Sequence, residues 1–490
     1  MLRELVIGLD IGTTSVKACV FNIEGHMIAE TEEMIVSDYP HQGWVEQNPA
    51  AIERSAVRVV REVIRKADVR SGELITLGLS AAMHSLIVLD EQVRPLSPAL
   101  IWADSRSAGQ VDQLDKSLKS EIYARTGTPI HPMTPLMKLL WMKETDNEPY
   151  RNAAYFMSIK EYLIYCWFGE RLIDYSMASA TGLFNPVKLA WEPDLLEMAG
   201  ISEHQLSTIV APTTVLTGLS TTIADEMGLP DSMSFVIGAA DGQLSNLGIG
   251  AILPGEVAVS VGTSGAIRQF TRHIKASENE ETFCYSFTED TAIIGGPTNN
   301  GGIVVQWVKD LLGDDGDFGE FLSAADRVEP GAEGLLFLPY VNGERAPLWN
   351  PRARGNFFGI SITHTKAHFI RAVLEGITFN LYQIGKALEA IAGEPKKIYV
   401  NGGLSRSTCW LQMMADVFGA EVCVSENHHS AAWGAAWTAL VATGKVASFE
   451  DIKQNIPWGE TIVPNPENSK RYQEIYSKYE GVAKTITGLF

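Results

Sequence analysis

The stretch that decides the fold is LVIGLDIGTTSVKACVF, residues 5–21. Two apolar, β-rich runs flank a polar turn that contains Asp10, Gly12, Thr13 and Thr14, and this pattern predicts a β-hairpin. A carboxylate at a strand end, followed by glycine, hydroxyls and free backbone N–H groups, suits a site that holds polyphosphate and a divalent cation together. An ordinary surface hairpin would show the same pattern, so this stretch alone leaves both interpretations open.

A second copy of the turn lies near the middle of the chain. Residues 259–265, VSVGTSG, align with residues 9–15, LDIGTTS, at an offset of 250 in a chain of 490 residues. An internal repeat of this kind changes the interpretation of the whole chain, since it predicts two similar halves. Halves that face each other across a cleft would place both turns on one nucleotide.

The two turns differ at one informative position, where Asp10 is replaced by Ser260. Only the first turn therefore carries a carboxylate that can hold a metal ion, and we expect one asymmetric active site with Asp10 as the metal ligand. The candidate phosphate-binding residues are Thr13, Thr14, Gly262, Thr263 and Ser264.

Together with the two turns, two further stretches resemble a known family. Residues 133–141, MTPLMKLLW, and residues 355–375, GNFFGISITHTKAHFIRAVLE, are similar to the two signatures of the FGGY carbohydrate kinases, although Thr145 departs from the first signature at its last position. The resemblance runs essentially from end to end. It extends to the superfamily of actin, hexokinase and the heat-shock chaperone ATPases.

The resemblance implies an α/β fold of two ribonuclease-H-like domains with a cleft between them. The expected division is 1–248, with the sugar site, the first phosphate turn and the catalytic Asp, and 249–490, with the second turn and the adenosine site. The turn Leu253, Pro254, Gly255 falls near this boundary. The resemblance also implies ATP and Mg²⁺ as cofactors.

Asp241 is the candidate catalytic base. It follows the apolar run 235–240 and precedes Gly242 and Gln243. An Asp-Gly pair is by itself most often a turn. In the FGGY family, however, the Asp of such a motif takes the proton from the acceptor hydroxyl, and the resemblance implies this role for Asp241, with Gln243 beside it at the substrate.

The resemblance also indicates where the acceptor binds. Met83 and His84 occupy the family's sugar-contact loop, and Trp102, Asp104 and Arg106 follow the next strand. Residues 82–85, AMHS, look like the gluconate-kinase form of this loop, whereas xylulose kinases typically have Gln-Met-His-Gly. Gluconate requires donors for its carboxylate. The candidates are His131, Arg106 and Arg345, and the sequence does not choose among them.

Glycine-rich turns in the second half are candidates for the adenosine site. Gly402 and Gly403 follow the strand 398–400 and precede a helix, so the backbone could lie close to a nucleoside. Gly301, in the loop 299–302, is a weaker candidate for the same role. A plain turn at the end of a strand is the alternative for both.

Composition limits the class of partner and the compartment. The net charge of −20 argues against a nucleic-acid partner. The five cysteines form no C-x-x-C pair, and His364, His368, His428 and His429 lack the spacing of a zinc site. Because charged residues interrupt the N-terminal apolar run and no segment reaches membrane length, we expect a cytoplasmic protein without a membrane partner. A homodimer is compatible with the sequence.

We therefore expect a kinase that transfers the γ-phosphoryl group of MgATP to gluconate and produces 6-phosphogluconate. The first alternative is a xylulose kinase, or a kinase for another pentulose or a polyol. The second is an ATP-driven machine of the chaperone or filament type that shares the turns but has no small-molecule acceptor.

Overall fold

A computed structural model describes residues 3–425 and 429–490 of the chain. His428 lies outside the described residues, as do the side chains of Leu404 and Arg406.

The first half is built on a mixed sheet that contains the predicted hairpin. Its strands are β1 (Leu5–Ile11), β2 (Ser15–Asn22), β3 (Met27–Met34), β4 (Leu74–Ala81), β5 (Val215–Leu216) and β6 (Phe235–Ala240). They are arranged in the order β5-β6-β4-β1-β2-β3. β1 pairs antiparallel with β2 and parallel with β4. The buried apolar residues of β1 and β2 explain why this segment forms the centre of the sheet.

The second half repeats this arrangement. Its strands are β7 (Glu256–Val261), β8 (Gly265–Thr271), β9 (Phe283–Ser286), β10 (Ala292–Thr298), β11 (Lys397–Gly402), β12 (Glu421–Ser425) and β13 (Trp458–Ile462). Their order is β9-β10-β8-β7-β11-β12-β13. β7 and β8 form an antiparallel hairpin, and β11 runs parallel to β7. Strands β7, β8, β10, β11, β12 and β13 thus correspond to β1, β2, β3, β4, β6 and β5, while β9 extends one edge.

The two turns are not identical in length. Ile11 pairs with Val16 across the first turn, whereas Val261 pairs with Gly265 across the second. The second turn is therefore one residue shorter, and the constant offset seen in the sequence ends within it. The offset correctly aligned β1 with β7, the strands that enter the two turns. It does not align the strands that leave them, because their pairing register depends on turn geometry.

Helices cover the sheets. The longer ones and those that follow equivalent strands are α1 (Pro49–Lys66), α2 (Asp241–Gly248), α3 (Gly302–Leu311), α4 (Lys366–Ala392), α5 (Thr408–Phe418), α6 (Ser430–Ala442) and α7 (Pro466–Thr487). The side chain of Asn48 caps α1 by accepting from the Ala51 N–H at 3.1 Å. The apolar face of α1, which includes Ile52, Ala56, Val59, Val60 and Val63, is buried against the first sheet. Each half consequently has its own large apolar core.

Shorter elements complete the described chain. The helices are Ala108–Gln113, Lys116–Thr126, Pro135–Glu144, Glu148–Arg151, Ile159–Phe168, Tyr175–Ser179, Pro193–Ala199, Thr221–Met227 and Phe318–Ser323. The strands are Ser37–Asp38, Glu46–Gln47, Ile87–Leu89, Ala99–Leu100, Tyr155–Met157, Leu172–Asp174, Phe184–Asn185, Ala190–Trp191, Thr208–Val210, Leu336–Leu338 and Asn356–Phe358. Within residues 3–425 and 429–490, every helix is too short or too polar to cross a lipid bilayer.

Helix α6 joins the two halves. It belongs to the second half by sequence but packs on β1 and β4 of the first sheet and on α2, its counterpart in the repeat. The contact is so close that a Cβ on Gly8 would lie 1.9 Å from the carbonyl oxygen of Ala432. The small residues at the start of α6 make this backbone-to-backbone packing feasible. Because α2 begins at Asp241, the interface also positions the candidate base.

Candidate active site

The two glycine turns face one cavity of about 320 Å³ between the halves. Thr13 lines it from the first turn, and Gly262, Thr263 and Ser264 line it from the second. Asp241 lies in the same wall. The structure therefore brings together Thr13 and Ser264, which are 251 positions apart in the sequence.

Each turn is held in shape by backbone hydrogen bonds. The N–H of Gly12 donates to the Ser15 carbonyl at 3.0 Å, and the N–H of Gly262 donates to the Ser264 carbonyl at 2.9 Å. Gly302, at the start of α3, donates its N–H to the Gly262 carbonyl at 2.7 Å. A Cβ on Gly262 would meet no atom within 4 Å. The second turn is therefore rigid and open on the side where a phosphate would bind.

Asp10 lies beside the first turn, near the end of β1. Its carboxylate accepts a hydrogen bond from the Ser80 hydroxyl at 2.6 Å. Burial raises the pKa of Asp10, while the hydrogen bond from Ser80 and the charge of Lys17 act in the opposite direction. A buried carboxylate with a raised pKa is one whose charge is incompletely compensated by the protein.

Asp241 is the first residue of α2, and its carboxylate accepts from the N–H of Gly242 at 2.7 Å. Burial, followed by repulsion from Asp10, raises the pKa of Asp241 to about 6. The positive charge of Arg268 lowers it only in part. Two buried carboxylates that repel each other fit a divalent cation, which would favour the ionised form of both.

A buried network supports the strand that leads to Asp241. The Lys160 ammonium forms an ion pair with Asp174 at 2.8 Å and donates to the Ala239 carbonyl at 3.1 Å. The N–H of Ala240 donates to the Ser176 hydroxyl at 2.8 Å. Sequence reasoning missed this network. Lys160 stands beside Glu161 in the mostly apolar helix IKEYLIYCWF, and a lysine in such a setting was the available signal.

His84 presents a neutral ring to the cavity. Its Nδ1 lies 2.8 Å from the Ala180 carbonyl, and because a carbonyl can only accept, Nδ1 carries the proton. Nε2 is therefore an acceptor. Burial lowers the pKa of His84 to about 3, which keeps the ring uncharged. Its φ of +67° turns the residue away from the strand direction and helps to aim the ring.

Met83 and Trp102 also line the cavity. The indole N–H of Trp102 donates to the Thr13 hydroxyl at 2.8 Å, so the sugar loop and the first turn are directly connected. The ammonium of Lys138 braces this region by donating to the carbonyls of His84 at 2.6 Å and Ile101 at 2.8 Å. Lys138 lies within the stretch 133–141 quoted above, but the sequence alone did not indicate this bracing role.

Asp104 and Arg106 do not line the cavity. Their side chains form a buried ion pair at 2.7 Å, and Arg106 also pairs with Glu46 at 2.7 Å. Asp104 accepts from the N–H of Val45 at 2.7 Å, and the Arg106 guanidinium stacks 3.8 Å from the ring centre of Trp44. Through these contacts Asp104 and Arg106 hold the loop near Val45, so they support the site from outside the cavity wall.

The other predicted residues differ in position. Thr14 is exposed and His131 is not in the cavity wall, although burial lowers the pKa of His131 to about 3 and leaves its ring neutral. Arg345 is in the wall and stacks 4.8 Å from the ring centre of Trp102. Gln243 is fully buried, and both polar atoms of its side chain lack a hydrogen-bond partner among the described residues. Gln243 does not line the cavity of this structure, although a polar ligand could satisfy such an amide.

The adenosine candidates lie behind the second turn. Gly402 ends β11 opposite Val261, the residue that precedes the turn, and has φ of +84°. A Cβ there would be 2.6 Å from the Val261 carbonyl oxygen. Gly403 continues the turn and is exposed. A Cβ on Gly301 would lie 2.6 Å from the backbone of Ser264, so this glycine allows the loop to pack on the phosphate turn.

Arg268 is the main cavity residue that sequence reasoning missed. It is a single charged residue in the strand GAIRQFT, directly after the second glycine turn. A guanidinium in a mostly buried strand is costly unless it has a partner. The unfavourable free energy of burying this charge was the signal that could have identified Arg268 from the sequence.

The two halves have equivalent sheets, and their paired glycine turns and carboxylates meet at one cavity. This arrangement defines the structural class of actin and hexokinase. Comparison with family models gives the particular family. Residues 5–248 match "FGGY family of carbohydrate kinases, N-terminal domain", and residues 257–443 match the C-terminal domain of that family. The chain belongs to the FGGY family of carbohydrate kinases, and it is a phosphotransferase that acts on a sugar hydroxyl.

Curated relatives include kinases for two acceptors. The chain is 41% identical to the gluconokinase of Bacillus subtilis (strain 168), with 99% of this chain and 96% of the relative covered. It is 31% identical to the xylulose kinase of Staphylococcus epidermidis (strain ATCC 12228), with 99% and 97% covered.

Solved structures similar to this chain also include kinases for both acceptors. A gluconate kinase from Lactobacillus acidophilus superposes with a TM-score of 0.95 at 32% identity, over 99% of this chain and 98% of that one. A ligand-bound xylulose kinase from the same organism superposes with a TM-score of 0.96, also at 32% identity, with coverages of 99% and 98%. The fold therefore establishes the family, while the choice of sugar depends on the cavity.

Proposed function

We propose that the protein is a gluconate kinase, which transfers the γ-phosphoryl group of MgATP to the terminal hydroxyl of D-gluconate and releases 6-phosphogluconate. The observation that carries the proposal is the shared cavity, in which Asp241 faces both glycine turns. The 41% identity to a gluconokinase, against 31% to a xylulose kinase, favours gluconate as the acceptor.

Asp241 is the proposed general base. It would accept the proton of the acceptor hydroxyl as that oxygen attacks phosphorus, and a pKa of about 6 leaves it mostly ionised at neutral pH. Lys160 and Ser176 hold the strand before it, so the carboxylate is positioned before the substrates bind. Exclusion of water by cleft closure would prevent hydrolysis of ATP.

The two turns are the proposed phosphate site. Thr13 and Thr14 on one side and residues 262–264 on the other offer hydroxyls and backbone N–H groups. Asp10 would hold Mg²⁺, in part through water, because magnesium keeps much of its hydration. A bound Mg²⁺ supplies charge neutralisation at the phosphates. Gly301, Gly402 and Gly403 are the proposed adenosine contacts.

The acceptor would lie against the sugar loop. Met83 and Trp102 would give it an apolar wall, while the free Nε2 of His84 accepts a hydrogen bond from a hydroxyl. The unpartnered amide of Gln243 can both donate and accept. The charge of Arg345 adds to burial in lowering the pKa of His131, and the neutral ring would contribute at the edge of this site.

We also propose the division of the chain at residues 248 and 249, with α6 returning to the first sheet. A cytoplasmic location and a homodimer are part of the same proposal. Size-exclusion chromatography with light scattering would test the dimer.

A panel of acceptors tests the function. The purified protein would be assayed with MgATP and D-gluconate, D-xylulose, D-ribulose, glycerol or no sugar, with ADP release coupled to NADH oxidation. We expect gluconate to give a kcat/KM at least about tenfold above every other acceptor, since small differences in fit are worth that much. 6-Phosphogluconate dehydrogenase would identify the product.

Two outcomes would contradict the proposal. Faster turnover of D-xylulose than of gluconate would indicate a pentulose kinase, an alternative that the 0.96 TM-score to a xylulose kinase keeps in view. ATP turnover that is indifferent to every sugar would indicate an ATP-driven machine instead.

A further inference from the structure

Arg268 places a positive charge in the cavity wall. This charge is separate from the two phosphate-binding turns. It lies in β8, whose residues Ala266, Ile267 and Phe270 are buried. Because side chains alternate along a strand, Arg268 and Ala266 point to the same face, and both line the cavity. The guanidinium is therefore part of the wall that meets the substrate.

The Arg268 guanidinium forms no ion pair within the described part of the chain, although the charge of Asp241 acts on it. The other two arginines near the site have more contacts. Arg106 pairs with two carboxylates, and Arg345, which also lines the cavity, donates to the Thr298 carbonyl at 3.3 Å and stacks on Trp102, although its Nε has no partner among the described residues. A mostly buried guanidinium with free donors is unfavourable unless an anionic ligand completes it.

Two glycines make room for this side chain. A Cβ on Gly295, which pairs with Arg268 across the sheet, would lie 3.0 Å from the Arg268 Cγ. A Cβ on Gly242 would lie 3.1 Å from its Nε. The Arg268 side chain thus runs over the adjacent strand towards the start of α2, where Asp241 and Gly242 lie.

Its position along β8 separates it from the phosphate turn. Arg268 is three residues beyond Gly265, where the turn ends, which is about 10 Å along a strand. It is level with Gly295 and Phe283 in the neighbouring strands, and Phe283 lines the cavity. The backbone donors of the turn therefore lie at one end of the cavity, and Arg268 lies further in.

We propose that Arg268 binds the carboxylate of the acceptor and selects a sugar acid over neutral sugars. The inference rests on the proposed function, since it assigns a residue to the acid group of the same acceptor. A guanidinium matches a carboxylate with two parallel N–H donors, which gives both affinity and orientation.

The test compares D-gluconate with D-gluconamide, a neutral analogue of nearly the same shape. In Arg268→Gln we expect the KM for gluconate to rise about 10- to 100-fold, because a charge-assisted hydrogen bond is lost. The KM for gluconamide should rise much less, because the neutral amide does not use the charge. Loss of the Arg268 charge should also raise the pKa of Asp241, so the KM values are compared at a pH well above 6, where Asp241 is ionised in every variant. Calorimetric titration with gluconate should show the same loss of affinity.

Matched variants control the experiment. Arg272→Gln makes the same change at an exposed position just after β8, and it should leave both acceptors unaffected. Arg268→Lys keeps the charge but not the paired donors, so its KM for gluconate should lie between those of the wild type and Arg268→Gln. Thermal unfolding and ATP titration would show that each variant is folded.

The outcomes separate the two proposals. If the wild type uses gluconate well and Arg268→Gln keeps the same KM, the inference is wrong and the function stands. A fall in kcat for both acceptors, with unchanged KM, would place Arg268 at the transferred phosphoryl group and also overturn the inference. A wild type that uses D-xylulose but not gluconate would overturn the function itself.

Discussion

At the scale of single residues, Asp241 carries the chemistry we propose. Asp241→Asn removes the proton acceptor but keeps the shape of the side chain. We expect kcat to fall by about 10²- to 10⁴-fold, the usual contribution of a general base. Calorimetric titration should show that ATP and gluconate still bind. Asp225→Asn, an exposed position on the helix Thr221–Met227, is the control. Near-normal turnover of Asp241→Asn would remove Asp241 from this role.

The raised pKa of Asp241 also predicts a change in stability with pH. Its folded pKa is about 6, against an ordinary 3.8. Between these values the folded state keeps a proton that the unfolded state releases, so rising pH disfavours folding through this group. In metal-free buffer at pH 7.5, Asp241→Asn should be more stable than the wild type by about 1 to 3 kcal/mol.

Urea unfolding at several pH values measures this difference. Near pH 4 the two proteins should be equally stable, because Asp241 is then protonated in the folded state. Equal stability at pH 7.5 would mean that the carboxylate bears no net cost in the folded protein, and would contradict the prediction.

Sequence reasoning found some site residues and missed others for a physical reason. Thr13, Ser264 and Asp241 belong to short patterns that can be recognised in one stretch of chain, and all three line the cavity. Arg268 is a single charge inside a mostly apolar strand, and Lys160 is a buried charge in a mostly apolar helix. Whether such a charge meets a ligand or another group depends on other segments of the chain: Asp174 and the Ala239 carbonyl for Lys160, and the cavity for Arg268.

At the scale of elements, α6 packs on α2 with almost no space between the two backbones. A Cβ on Gly434 would lie 2.0 Å from the carbonyl oxygen of Leu244. Gly434→Ala must therefore push the two helices apart. We expect it to reduce the free energy of unfolding by about 1 to 3 kcal/mol or more, as overpacking does, and to lower kcat by shifting Asp241 at the start of α2.

Gly481→Ala is the matched control for this prediction. Gly481 lies inside α7, and a Cβ there would meet no atom within 4 Å. Alanine favours helix over glycine by up to about 1 kcal/mol, so this variant should be equally or more stable than the wild type. Chemical denaturation of both variants decides the matter. A Gly434→Ala protein as stable as Gly481→Ala would show that the interface is loosely packed.

At the scale of the whole molecule, the two halves share buried contacts. Phe21, Leu244, Phe283 and Trp433 belong to one apolar cluster that draws on both halves. The edge strand β9 adds hydrogen bonds across the boundary, and the N–H of Cys284 donates to the Gly127 carbonyl at 2.8 Å. A separate unfolding of either half would expose this cluster to water.

We therefore predict that the protein unfolds in a single thermal transition despite its two sheets. In differential scanning calorimetry, the calorimetric and van't Hoff enthalpies should agree. MgATP should shift the whole transition to higher temperature, because it binds only the folded state. Two resolved transitions, of which MgATP shifts one, would contradict the prediction.

The sequence by itself determined the two hairpins and the repeat, because these depend on residue patterns within short stretches of chain. It also indicated Asp10, near the end of β1, and Asp241, directly after β6. Only the tertiary structure decided that Arg106 pairs with Glu46 and that Arg268 faces the cavity. The reason is that such charge pairs and cavity walls are made by contacts between segments distant in sequence, which no local pattern records.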